Sequence, residues 1–459
     1  LREFVDSPQT AWEPCPDGAT GEFWSTKTYP DLGGQPEQTN VLGNFADSMV
    51  PVHGYHFLSD LRSDNPYWTV DNKVGSQSAV YCGPGIYYNP ETGRIHARLA
   101  HTQLASLGDD NYRGETDPRK VPLVIAGAAA GPALTLDDAQ HVRLKNLVLR
   151  GARTATLEID HSRHIELAGL TVYGGSSAIN LRDTWGLRMQ HTACRGIAAP
   201  WTFRGSLKYR AIEARIFSAS RWDPTGRDCR DFEIAYCEFT DCVDGVFLGN
   251  VNGVRFHHNL VANVSDDGIF LTAATAYDGT TPGGDVQISQ DRFDRGSTVF
   301  PFGVGNVRQG VTDDRHQTGS GVDIFRNVFD FRRPVMYHWP TGPEETEQSD
   351  YGRVGGDHGS PAWEPMRIYH NTFLAGVPPR YDYGTSGLAI GLGKGTSRRV
   401  FNNIVCQMQG MTGETLPDTK VDFIGDGNLF WSLTDGPTYQ GELFSKIRKS
   451  AAFTERPQK

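Results

Sequence analysis

Five short segments decide how this chain folds: VRLKNLVL at Val142–Leu149, IELAGLTV at Ile165–Val172, LRMQHTA at Leu187–Ala193, FEIAYCEF at Phe232–Phe239 and VRFHHNLV at Val254–Val261. Their starting points lie 23, 22 and, after an insertion, 22 residues apart. Later copies are VDIFRNVFDF at Val322–Phe331, MRIYHNTFL at Met366–Leu374 and RVFNNIV at Arg399–Val405. A second set of short strands falls between them: ATLEI near Leu157, AINL near Ile179, DGVFL near Val246 and DGIFL near Ile269. Each strand alternates apolar and polar residues and is bounded by Gly, Asn, Asp or Ser, the pattern of a strand with one buried face.

A unit this short cannot bury its apolar face alone, but a stack of such units can. That is one coil of a parallel β-solenoid. The rival at this period, the leucine-rich repeat, needs an L-x-x-L-x-L frame and a helical segment, and neither is present. Asn146, Asn259, Asn327, Asn371 and Asn403 follow the same strand in successive copies, as expected if side-chain amides stack at one corner and bond between coils.

Composition agrees with a large turn-rich β protein. The 459 residues include 52 Gly and 26 Pro and are 38% hydrophobic, which excludes disorder, collagen and coiled coil. A formal charge of -10 argues against nucleic-acid binding. No apolar run is long enough for membrane insertion. The first 30 residues lack the order of a signal peptide, and the start at Leu1 agrees with trimming. Seven cysteines leave at least one unpaired; Cys229, Cys237 and Cys242 read as small buried apolar residues, with a disulfide as the alternative.

The repeat resembles the right-handed parallel β-helix of the pectate-lyase-like superfamily over roughly residues 120 to 432. The expected class is therefore all-β. Residues 1–115 form a β-rich N-terminal cap, including a hairpin in GIYYNPETGRIHARL, and 116–435 form the β-helix. Insertions fall at about 272–320 and 338–365, and the tail 436–459 shows no clear cap and is expected to be incomplete. The resemblance implies a secreted or periplasmic protein.

CVDGVFL and SDDGIFL place Asp244 and Asp267 at matching points of successive coils, with Asp266 beside the second. Clustered carboxylates repel unless they share a proton or bind a hard cation such as Ca2+; the plain alternative is two repeated D-G turns. The segment Asp244–Leu271 resembles the calcium site of polysaccharide lyase family nine, which implies Asp244, Asp266 and Asp267 as ligands. The family's catalytic Lys is not matched, because GSGVDIF carries Asp323. The same spacing also resembles the polygalacturonases, which implies paired Asp residues as acid and base and only partial matches at Asp357–Gly359 and Arg367–Tyr369.

His258, or a loop residue such as His338, is the candidate base, and strand alternation expects only one of His257 and His258 to face outward. Tyr337 and Trp339 offer ring faces to a sugar. A basic stretch at residues 200–230, including Arg204, Lys208 and Arg221, fits an acidic polysaccharide. The leading expectation is calcium-assisted β-elimination of a uronate-containing or sulfated polysaccharide. Metal-free hydrolysis is the second, and a non-catalytic glycan-binding solenoid is the third.

Overall fold

The computed structural model describes residues 2–4, 8–30, 32, 40–45, 48–55, 57–64, 81–103, 111–127, 130–197, 199, 215–220, 229–242, 244–249, 251–264, 267–272, 322–331, 335–336, 349–350, 353–356, 366–375, 398–407 and 423–433. From Leu134 onward the described strands, apart from the short antiparallel pair Val335–Met336 and Ser349–Asp350, wind into a parallel β-helix with three sheets. The first sheet has seven strands, from Leu134–Asp137 to Arg353–Gly356. The second runs from Arg143–Lys145 to Phe423–Asp426 and the third from Val148–Leu149 to Leu429–Ser432, with nine strands each. One coil is traced by Asp244–Gly249, Val251–His257 and Leu260–Val264, in the first, second and third sheets respectively.

Alternation in each strand sends every second side chain inward. Register then aligns those side chains into apolar columns, such as Leu167, Met189, Ile234, Phe256, Ile324, Ile368 and Val400. All of these are at most 2% exposed. The columns merge into one core running the length of the solenoid. All seven cysteines are free, and Cys229, Cys237 and Cys242 are buried in that core. Burial pushes the Cys237 thiol up to about 12, so it behaves as an inert apolar residue.

The corner between the second and third sheets is only two residues wide. Its first position is left-handed in every described coil: Asn146, Gly169, His191, Tyr236, His258, Arg326, His370, Asn402 and Gly427 have φ between 50 and 67°. That conformation turns the chain at once and favours Gly, Asn and His. The second position carries the amide ladder. Asn259, Asn327 and Asn371 each accept at Oδ1 from the backbone N–H of the residue one coil earlier, at 2.9–3.0 Å. The side-chain amides link in the same direction, and Asn403 and Asn428 extend the series. Asn146 is not a member: it occupies the left-handed position, exposed, and Leu147 stands where the ladder would begin.

An eight-stranded sheet, from Arg2–Phe4 to Leu123–Ala126, precedes the coils. The expected hairpin is Gly85–Asn89 with Arg94–Arg98, its turn held by Asn89 Oδ1 accepting from the backbone of Glu91 and Thr92. The sheet packs on its own apolar cluster around Val41, Ile86 and Ile95. No described helix is long and apolar enough to cross a membrane.

Candidate functional site

The outward face of the second sheet carries a row of charge. Register aligns Arg143, Glu166, Arg188 and Glu233 on successive coils, followed by Arg255, Asp323, Arg367 and Arg399. The row exists because the second residue of each quoted strand points away from the core while its neighbours point in. Three pairs close along it: Arg143 with Glu166 at 2.8 Å, Arg255 with Glu233 at 3.6 Å, and Arg367 with Asp323 through two bonds. Arg188 lies between Glu166 and Glu233 and has no ion-pair partner among the described residues.

Above this row lies a cavity of about 500 Å³, its floor formed by Arg188, Glu233, Arg255, Asp323 and Arg367. Trp185, Asp231 and His164 wall the side toward the first sheet. The floor of the cavity crosses five neighbouring strands, about 19 Å along the solenoid axis, with His164 on a sixth, and the cavity is only a few residues wide across them. It is therefore a groove parallel to the axis. The Arg230 guanidinium sits 5.2 Å from the Trp185 ring centre, which brings one member of the basic 200–230 stretch to the groove edge.

Glu233 links the groove to the corner histidines. Its Oε1 is 3.4 Å from His257 Nε2, and His257 Nδ1 is 2.8 Å from His258 Nδ1. Burial holds the His257 imidazole below its ordinary value against the opposing pull of Glu233, and His258 and Arg255 add to the lowering. A neutral His257 that donates from Nε2 to Glu233 must accept at Nδ1, so His258 donates there. Both rings lie on the outer side. His257 is 7% exposed because it is stacked on Phe325 at 4.8 Å, and that stack continues through Tyr369 and Phe401. Strand alternation misjudges His258 because its left-handed φ of 57° ends the strand there.

The pairing of Val246 with Ile269 sets Asp244 and Asp267 at the same strand-start position of adjacent coils. In that row they stand between Arg215 and Arg353. Two basic positions thus bracket two acidic ones along the row. The Asp positions open the first sheet, whereas His258 lies before Leu260–Val264, the whole width of the third sheet away. The chain does not bring the Asp pair and His258 together. Asp266, Arg204, Lys208, Arg221, Tyr337, His338 and Trp339 lie outside the described residues, as do 273–321 and 357–365.

Among the described residues one other cluster has metal-ligand types: Cys15, Glu22 and His96. Glu22 is already filled by Arg62, which bonds both its oxygens, and by His96 and the Ala19 N–H. A fixed guanidinium in the cluster supplies the charge that a cation would.

Sequence reasoning missed the groove. Its signal was the sign of the second residue in V-R-L, I-E-L, L-R-M, F-E-I, V-R-F, V-D-I and M-R-I.

No protein-family profile matches the chain, and no curated protein matches it. Among solved structures it is similar to a protein described as a glycoside hydrolase, at 10% identity and a TM-score of 0.39, covering 97% of this chain and 76% of the other. A tailspike of Pseudomonas phage phi297 is similar at 10% identity and a TM-score of 0.27, covering 89% and 60%. An alginate lyase from Paenibacillus is similar at 10% identity and a TM-score of 0.25, covering 67% and 91%.

Proposed function

We propose that this protein is a carbohydrate-active enzyme that holds an extended glycan along the second-sheet groove and cleaves it there. The supporting observation is the groove itself: about 19 Å long by strand spacing, floored by fixed charges and walled by Trp185. Its length suits several linked sugars, its Trp offers a ring to an apolar sugar face, and its guanidinium and carboxylate groups match hydroxyls and charged substituents.

Glu233 is the group proposed to move a proton. It stands in the groove, its salt bridge to Arg255 is long at 3.6 Å, and neutral His257 backs it. Asp323 is less suited, because two bonds from Arg367 occupy both its oxygens. Elimination is the first reading of the reaction, since Arg188 and Arg255 flank Glu233 on the adjacent rungs. A cation beside a base is what removal of a proton next to a carboxylate needs. Hydrolysis is the second reading. Asp231 and Glu233 stand two residues apart on one strand and both line the groove, so the second reading has two carboxylates to share the acid and base roles. Neither route passes through a metal.

The test is a panel of uronate-containing, sulfated and neutral glycans, followed by ultraviolet absorbance of unsaturated products and by reducing ends, with and without chelator. Elimination gives both signals and hydrolysis gives reducing ends alone. Glu233→Gln should lower turnover by about a hundredfold or more while leaving glycan binding in place. No cleavage of any glycan would remove the enzyme reading. Loss of activity on chelation would return calcium, and with it Asp244 and Asp267, to the mechanism.

A further inference from the structure

The alternation of sign along the groove floor carries information about the ligand. Arg188, Glu233, Arg255, Asp323 and Arg367 occupy five successive rungs, so the cations stand on every second rung, about 9.6 Å apart. With Asp231 on the wall, three cations face three carboxylates and the cavity is neutral as a whole. An extended glycan advances by close to one strand spacing per sugar. A chain lying along the axis therefore presents successive sugars to successive rungs. A polymer acidic at every sugar would set alternate carboxylates over Glu233 and Asp323, where like charges at close range repel.

We propose that the groove selects a glycan whose anionic groups recur on alternate sugars, with neutral or amino sugars between them. The acidic sugars sit over Arg188, Arg255 and Arg367, and the intervening sugars lie over Glu233 and Asp323. Arg188 is the anchor, because its guanidinium has no carboxylate partner among the described residues and can take a bidentate anion without breaking an ion pair. The inference rests on the glycan reading of the groove and adds the substrate class. It also replaces the uniformly acidic polymer suggested by the basic 200–230 stretch.

Calorimetry on the full chain with three probes of matched length tests it: hyaluronan oligosaccharides, acidic at alternate sugars; oligogalacturonate, acidic at every sugar; and a neutral cello-oligosaccharide. The alternating probe should bind about tenfold or more tighter than the uniform one. Arg188→Gln should cost the alternating probe about tenfold and leave the neutral one unchanged. Asp323→Asn should strengthen oligogalacturonate binding, a gain that misfolding cannot produce. Equal or tighter binding of oligogalacturonate by the unmodified protein would overturn the alternation and leave the glycan groove standing. Equal binding of the neutral probe would show that charge is not read. Failure of all three to bind would remove the glycan reading and this inference together.

Discussion

Glu22 receives four hydrogen bonds: two from Arg62, one from His96 and one from the Ala19 N–H, at 2.7–2.9 Å. Burial alone would raise its pKa, but the bonds from His96, Arg62 and Ala19 outweigh it and hold the carboxyl at about 2, against an ordinary 4.5. Because the folded value is the lower one, the ionised group stabilises the fold by about 3 kcal/mol. That contribution is complete above the unfolded pKa and is lost as pH falls toward 2. Glu22→Gln should lower the stability of the N-terminal sheet by about 3 kcal/mol at neutral pH and flatten its acid dependence below pH 4.5. Urea melts at a series of pH values check both; an unchanged acid slope would show that another group titrates there. His257 is the opposite kind of residue, a base kept neutral by burial. Its ring should titrate below 6.5 by NMR, and Glu233→Gln should move it lower still, because Glu233 is the partner that raises it.

Among the elements, the amide ladder shows what a repeat discloses and what it hides. Asn327 is 1% exposed; it accepts from the Asn259 N–H and donates to Phe256 O and Asn371 Oδ1. Asn327→Leu strands these buried partners and should cost about 2–5 kcal/mol. Asn146→Ala, at an exposed left-handed turn, should cost about 1–2 kcal/mol. Thermal melts of the two variants separate the roles, and equal losses would mean that the ladder bonds contribute nothing beyond the turn. Fold, coil length and most of the ladder were legible because inward residues repeat at fixed spacing and a missed beat would expose the core. Asn146 was misread by one position, since a turn residue and a ladder residue of the same type cannot be told apart without φ. The groove was harder to see. Outward residues carry no hydrophobic signal, and Arg188, Glu233 and Arg255 become one row only when 45- and 22-residue steps are recognised as equivalent coils.

For the molecule as a whole, a solenoid transmits stability only between neighbours, because each coil touches the one before and the one after. The N-terminal sheet joins this chain of contacts through Asn40, which is 3% exposed and whose Nδ2 donates to Ala152 O at 2.8 Å and Gly174 O at 2.9 Å. One side chain thus ties the sheet to the first two coils. Asn40→Leu keeps the size but removes both donors, leaving two buried carbonyls without that bond, at a cost of about 2–4 kcal/mol. With only nearest-neighbour coupling, the damage should stay at that end. Amide exchange should quicken by roughly a hundredfold in Leu157–Ile159 and hardly change around Phe373, five coils farther along. A uniform rise along every coil would show that the protein opens as one cooperative unit. The groove, centred on Glu233 and Arg255, would then depend on the N-terminal sheet for its shape and not only on the coils beside it.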